Sequence, residues 1–369
     1  MSEVPARKIP LQPGDPAPSF RLPALQGNPN YVFDTSAGRP ILMLFLGSAT
    51  HPACRAALEL VAAHRAQFDD VTACFFGITI DPEDAAQGRI MPQIPGLRFL
   101  LDYERVASRA YGAVPDGSDP ASYRPHWLLL DRSLQVTGFY PIEEGARAFA
   151  DLVRLKADQP ADLWAPVLQV PRIFEPDLCR HLISLYETHG GSESGFMREL
   201  DGKTVYMTDA THKRRSDHQI EDEVLRRALV ARIHGRLVPR VRHAFQYEAT
   251  RIERHIVACY DGGSGGYFRP HRDNTTKGTA HRRFAVTINL NAEDYDGGEL
   301  RFPEYGQRAY RAPTGGAIVF SCSMLHEALP VTRGRRYAYL PFLYDDQGAA
   351  LREANSLYLG DGVVRYSAG

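Results

Sequence analysis

Apolar residues are arranged in two different ways along this chain. In its N-terminal part they form an unbroken run at residues 41–46 (ILMLFL) and further apolar-rich stretches, read as strands, at 71–80, 99–101, 127–130 and 136–140. Unbroken runs suit strands buried on both faces. Helical stretches are predicted between and after them, at residues 54–68, 106–111 and 146–155. Strands alternating with helices make an α/β layer fold. From residue 252 onward the pattern changes to many short strands punctuated by turns. Residues 252–260 alternate and end at the glycine-rich turn 261–266, and residues 267–273, 284–290 and 317–321 follow as strands. Asp296-Gly297-Gly298 and Pro313-Thr314-Gly315-Gly316 are turns before strands, and residues 337–343 close the series. Short strands with regular turn signals predict a sandwich or barrel, with a jelly roll the natural choice.

Between these regions the periodicity is helical. Leu178, Leu182, Ile183 and Tyr186 form one stripe after Pro176. Val224, Leu225, Ala228, Leu229 and Ile233 form a second. Both are predicted to be helices supporting one sheet of the jelly roll. The polar stretch 190–217 between them predicts a long loop contacting substrate, with Lys213-Arg214-Arg215 on a solvated surface.

The 369 residues suit two domains, each large enough for its own core. The division is expected within residues 158–166 (DQPADLWAP), giving domains 1–157 and 165–369. A formal net charge of -1 argues against nucleic-acid or membrane-surface binding. Five cysteines without close spacing argue against a disulfide framework and fit a reducing, cytoplasmic setting. The opening MSEVPARKIP lacks an apolar targeting core, and no run approaches membrane-spanning length.

The candidate chemistry lies in the second region. Of 13 histidines, only His271 is followed two residues later by an acid, Asp273. On a strand, that spacing puts both side chains on one face. A second histidine from a distant strand would complete a 2-His-1-carboxylate set, which holds Fe(II) and leaves positions open. His326 is the candidate. In the last strand, alternation places Arg336 on the same face as Ala338 and Leu340, and Arg335 on the other.

The blocks HIVACYDGGSGGYFRPHRDN, GGELRF, APTGGAIVF and HEALPVTRGRRYAYLPFLYD resemble signature blocks of the Fe(II)/2-oxoglutarate dioxygenases, in the prolyl-hydroxylase-like branch. They span residues 255–345, within a catalytic domain of residues 165–360. The resemblance implies a double-stranded β-helix (jelly roll) with His271, Asp273 and His326 as iron ligands. It implies that Arg336 pairs with the far carboxylate of 2-oxoglutarate, a group suited to a guanidinium fork. Tyr260 stands where such enzymes hydrogen-bond the cosubstrate. Asn289 stands where near relatives carry a tyrosine, and Thr287 and Asn289 share a face that can supply that contact. The implied reaction is hydroxylation of a C–H bond, using 2-oxoglutarate and O2, in a prolyl residue, peptide, protein or amino-acid-like substrate.

The lead-in GDPAPSFRLPAL, with Cys54 at the first turn of a helix, resembles the peroxiredoxin/thioredoxin-like family over residues 8–156. A thioredoxin pattern needs Cys-x-x-Cys, and this chain has His51-Pro52-Ala53-Cys54. The peroxiredoxin pattern has Thr and Pro three and seven residues before the cysteine, where His51 and Gly47 stand. Two readings of this half remain: a scaffold that docks a partner, or a thiol peroxidase centred on Cys54, whose position at a helix N-terminus lowers a thiol pKa. A third reading of the whole chain is a non-catalytic 2-oxoglutarate or oxygen sensor.

Overall fold

A computed structural model describes residues 11–115, 122–158, 163–360 and Val363. The chain divides into two compact units, Met1–Ala161 with Pro303–Gly306, and Asp162–Phe302 with Gln307–Gly369. Residues 1–10, and 159–162 of the stretch expected to join the domains, lie outside the described residues. Among the described residues no helix is long and apolar enough to cross a membrane.

The first unit is built on a five-stranded sheet in the order Leu97–Leu101, Cys74–Thr79, Ile41–Gly47, His126–Leu130, Val136–Pro141. The first three strands are parallel and the last two antiparallel to their neighbours. Every residue of Ile41–Gly47 is buried, as an unbroken apolar run requires. Burying each of its aliphatic side chains contributes about 1.5–3 kcal/mol. Helix Pro52–Ala63 starts at a proline in its first turn, and helix Gly145–Ala157 buries Phe149 and Leu152 against Trp127. The second strand starts later than residue 71. Asp69 Oδ1 accepts from the backbone N–H groups of Val71 and Thr72, and Asp70 has φ of 65°, so a turn precedes Cys74.

The second unit contains two main sheets with antiparallel pairings throughout. The larger runs Arg251–Glu253, Phe342–Tyr344, Phe284–Asn289, Arg335–Tyr339, Ile256–Asp261, Ser216–Gln219, Ser192–Glu193. Ala317–Ser321 also pairs with Phe284–Asn289 and carries Leu168–Val170. The smaller runs Lys213–Arg214, Tyr267–His271, His326–Ala328, Leu300–Arg301, Ala309–Tyr310. Helices Pro176–His189, Glu223–Arg232 and Val238–Phe245 pack Leu182, Leu229 and Val241 into one core with Val257, Ile288 and Tyr339 of the larger sheet.

Four expectations are corrected here. The alternating run 252–260 is two strands, because Arg254 takes a left-handed backbone (φ 73°) between them. The run 337–343 likewise divides at Leu340-Pro341. The polar stretch 190–217 is a series of strands, including the hairpin Phe196–Leu200 and Lys203–Met207. Its basic run alternates: Lys213 and Arg215 are buried and Arg214 is exposed. Burial is supported by partners, since Lys213 Nζ donates to Ser194 Oγ (2.7 Å) and Gly195 O (2.5 Å).

Candidate metal centre

His271 ends the strand Tyr267–His271 and stands opposite His326 in the antiparallel register, 55 residues away in sequence. Cross-strand pairing therefore brings the two rings together, with centroids 4.3 Å apart. Asp273 lies just past the strand end, not within it. Its backbone N–H donates to Cys322 O (2.9 Å), which fixes the turn and aims the carboxylate back at the histidines. Asp273 Oδ1 is 3.6 Å from His271 Nε2, and Oδ2 is 3.3 Å from His326 Nε2. All three ligand atoms lie within 4.8 Å of one another. Ligands on adjacent positions around an ion with bonds of ~2.0–2.1 Å sit ~3 Å apart, so this cluster is close to coordinating geometry.

The far ring nitrogens settle the tautomers. His271 Nδ1–H donates to Arg269 O (2.8 Å) and His326 Nδ1–H to Met324 O (3.0 Å). A carbonyl only accepts, so each Nε2 carries a lone pair toward the cluster. Burial, and next the neighbouring His326, holds the His271 imidazole well below its usual range and therefore neutral. Phe268 stacks on His271 at 3.5 Å and Phe320 meets His326 edge-on at 4.5 Å, so both rings are fixed by packing.

These residues open into a cavity of about 470 Å³, counting its mouth, lined from both sheets by Tyr260, Thr287, Arg336 and others. Arg336 is 2% exposed, while Arg335 faces solvent beside Asp261 and Glu187. Among the described residues Arg336 Nε and Nη1 are buried without hydrogen-bond partners, and the guanidinium sits 4.9 Å over the Tyr260 ring. A buried cation with unmet donors calls for an anion. Gly298, at φ 71°, makes room for it: a Cβ there would meet the Arg336 stem at 3.0 Å.

Of the remaining candidates, Tyr260 lines the cavity and its hydroxyl accepts from Arg215 Nη1 (3.4 Å). Thr287 lines it as well. Asn289 is on the same face but one step beyond the lining, where its Nδ2 donates to Ala312 O (2.7 Å). Sequence reasoning missed two charged lining residues. Arg215 was read with a solvated basic run, although Lys213 and Arg215 share one face. Arg254 was overlooked, although a charged triplet, Glu253-Arg254-His255, interrupting an apolar strand was its signal. Burial, and then the charge of Arg215, draws the Arg254 guanidinium down to about 10.

In the first unit, Cys54 is completely buried, and its thiol donates to Leu46 O (3.0 Å). Burial, reinforced by the Asp84 carboxylate, pushes the thiol up to about 11. The helix N-terminus does not win here, because desolvation of a thiolate outweighs it. His51, exposed at the N-cap, makes no capping hydrogen bond.

Two family models match separate segments of the chain. Residues 255–344 match the model of the 2OG-Fe(II) oxygenase superfamily, and residues 13–136 match that of the AhpC/TSA family. A PKHD-type hydroxylase of Synechococcus sp. (strain JA-2-3B'a(2-13)) is 38% identical over 89 residues, covering 22% of this chain and 39% of the relative. A PKHD-type hydroxylase of Paracoccus denitrificans (strain Pd 1222) is 51% identical over 104 residues, 25% of this chain and 45% of the relative. The chain thus spans less than half the length of these curated relatives. A Pseudomonas putida prolyl-4-hydroxylase structure covers 49% of this chain and 93% of its own, at 20% identity and a TM-score of 0.38.

Proposed function

Because the chain joins a 2OG-Fe(II) oxygenase domain to an AhpC/TSA-type domain, we propose that it is a 2-oxoglutarate-dependent hydroxylase. The substrate is a prolyl residue, a peptide or an amino-acid-like molecule. The observation carrying this reading is one cavity containing both the His271–Asp273–His326 cluster and the partnerless guanidinium of Arg336. The donor set fits Fe(II): two neutral imidazoles and one carboxylate bind by one side and leave the rest open. Arg336 fits the far carboxylate of 2-oxoglutarate, because its buried donors then gain acceptors and its charge a partner. When bound, iron and 2-oxoglutarate supply the oxidation, with O2 consumed and succinate and CO2 released.

The protein's own part is positional. The carbonyls of Arg269 and Met324 keep Nε2 of each histidine available, and Phe268 and Phe320 hold the rings still. Tyr260 and Thr287 border the cosubstrate, with the Tyr260 ring shielding Arg336 from water. On this reading the two sheets are the double-stranded β-helix, residues 165–369 the catalytic domain and residues 1–157 a docking module in a cytoplasmic enzyme. The sealed Cys54 thiol disfavours the peroxidase reading.

The test is anaerobic reconstitution with Fe(II) and 2-oxoglutarate, followed by O2, across a panel of amino acids and prolyl peptides. Succinate release that depends on iron and rises with one class of substrate is the expected result. No succinate under any condition would overturn the proposal.

A further inference from the structure

The cavity carries one more positive charge than the proposed iron and cosubstrate account for. Three guanidinium groups line it: Arg215, Arg254 and Arg336. Arg215 is neutralised, since its Nε and Nη2 grip Asp217 at 2.7 and 2.6 Å. Arg336 is taken by the far end of 2-oxoglutarate. Arg254 is different. Its Nε and Nη2 both donate to a single neutral acceptor, Leu340 O, at 2.9 and 2.8 Å. Among the described residues it has no ion pair, and Nη1 makes no hydrogen bond. The adjoining carboxylate, Glu253, is already engaged by Arg282 and His281. Arg254 also sits 4.5 Å over the Phe342 ring, another cavity wall, and adopts its left-handed backbone there without being glycine.

The charge count points to what is missing. Iron(II), the Asp273 carboxylate, a dianionic cosubstrate and Arg336 cancel, and Arg215 cancels with Asp217. Among the residues lining the cavity only Arg254 remains, facing the same space as the metal ligands; the buried Lys213, behind the Phe268 wall, is held by Ser194 Oγ and Gly195 O. A part-buried guanidinium held by one carbonyl is preorganised for a carboxylate, which supplies charge and acceptors together.

We propose that Arg254 anchors a carboxylate on the molecule that is oxidised, which narrows the substrate to acids: a free amino acid, or a peptide carrying a carboxylate close to the reacting carbon. This rests on the hydroxylase reading above. Arg254 is then a specificity residue, distinct from the cosubstrate anchor Arg336.

The experiment uses the full chain loaded with Mn(II) and 2-oxoglutarate without O2, so that nothing turns over. Amino acids, N-acetyl amino acids and dipeptides, each as acid and as C-terminal amide, are titrated while their proton lines are followed for broadening by Mn(II). Acids are expected to bind at least tenfold better than their amides, and the best arm separates free amino acids from peptides. Arg254→Gln keeps a donor for Leu340 O but no charge, and should bring the acid-to-amide ratio close to one with 2-oxoglutarate affinity unchanged. Arg254→Lys should keep part of the ratio, and carries the test if the glutamine variant does not fold. Equal binding of acids and amides across the panel overturns the proposal, as does a ratio that survives in Arg254→Gln. A fall in 2-oxoglutarate affinity in that variant would make Arg254 a cosubstrate anchor and also overturn it. Failure of the wild type to take up Mn(II) with 2-oxoglutarate would instead bring down the hydroxylase reading, and the charge count with it.

Discussion

Cys54 in the first unit and His326 in the second are both buried side chains with reactive atoms, and their surroundings treat those atoms in opposite ways. The Cys54 thiol donates a hydrogen bond to Leu46 O and is pushed up to about 11, so its reactive form is suppressed. His126, in the same unit, is sandwiched between Phe45 and Phe139 at 4.9 and 4.3 Å. Among the described residues its Nε2 is buried without a partner, and burial holds the ring down to about 4. In the second unit the backbone engages only the far nitrogens of His271 and His326, and the near ones converge with Asp273. Burial by itself therefore does not mark a site. Several open valences facing one cavity do.

The largest test of this contrast is removal of a converging atom. His271→Ala, Asp273→Ala or His326→Ala should each abolish Fe(II) binding, measured by anaerobic titration, and reduce succinate formation to background. His281→Ala is the control. Its Nε2 is bound to Glu253 at 2.7 Å outside the cluster, so it should lower stability and spare the iron. Retained iron in His271→Ala would remove the distinction between the two units.

Next in size is Arg336→Ala. Losing one side of a buried charge pair costs ~3–5 kcal/mol, so the 2-oxoglutarate requirement should rise at least a hundredfold while Fe(II) affinity holds. Arg335→Ala, at a solvent-exposed position, should change neither. The two phenotypes exchanged would mean that the cavity face of the strand Arg335–Tyr339 has been misassigned.

A thermodynamic test belongs to the first unit. His126 has a folded pKa below its unfolded value of 6.5, so the unfolded chain binds the proton more readily between those values. Stability from this group is complete above pH 6.5 and is lost as pH falls toward about 4. A shift of this size corresponds to ~3 kcal/mol. Denaturant midpoints of the full chain across this range should fall with pH, and the slope should flatten in His126→Phe. An unchanged slope would show that the ring is not sealed.

The smallest effect is expected at Cys54. Cys54→Ser should leave oxygenation of a small substrate unchanged, and the wild type should reduce peroxide with thiols no faster than background. Peroxidase turnover that disappears in Cys54→Ser would make both units enzymes and dissolve the contrast.

The local spacing of residues carried a large part of this picture. Six apolar residues in a row at 41–46 already demanded a strand buried on both faces. His271-x-Asp273 announced two side chains that meet in one cluster, and the alternation around Arg336 separated an inward from an outward arginine. These signals are legible because they depend on near neighbours, whose geometry is set by backbone periodicity. Other features were not legible. Arg254 breaks its strand through a left-handed backbone, which no hydrophobic pattern encodes. Lys213 is buried because Ser194 and Gly195 reach it from a segment about twenty residues away, and Ser194 also meets Arg215 beside its near neighbour Asp217. The pairing of His271 with His326, the sealing of Cys54 by Leu46 and the missing partner of Arg254 are decided by which distant segments meet. Sequence periodicity determines the face on which a residue stands. Only tertiary packing decides whether another group is waiting there, because that depends on contacts between strands far apart in the chain.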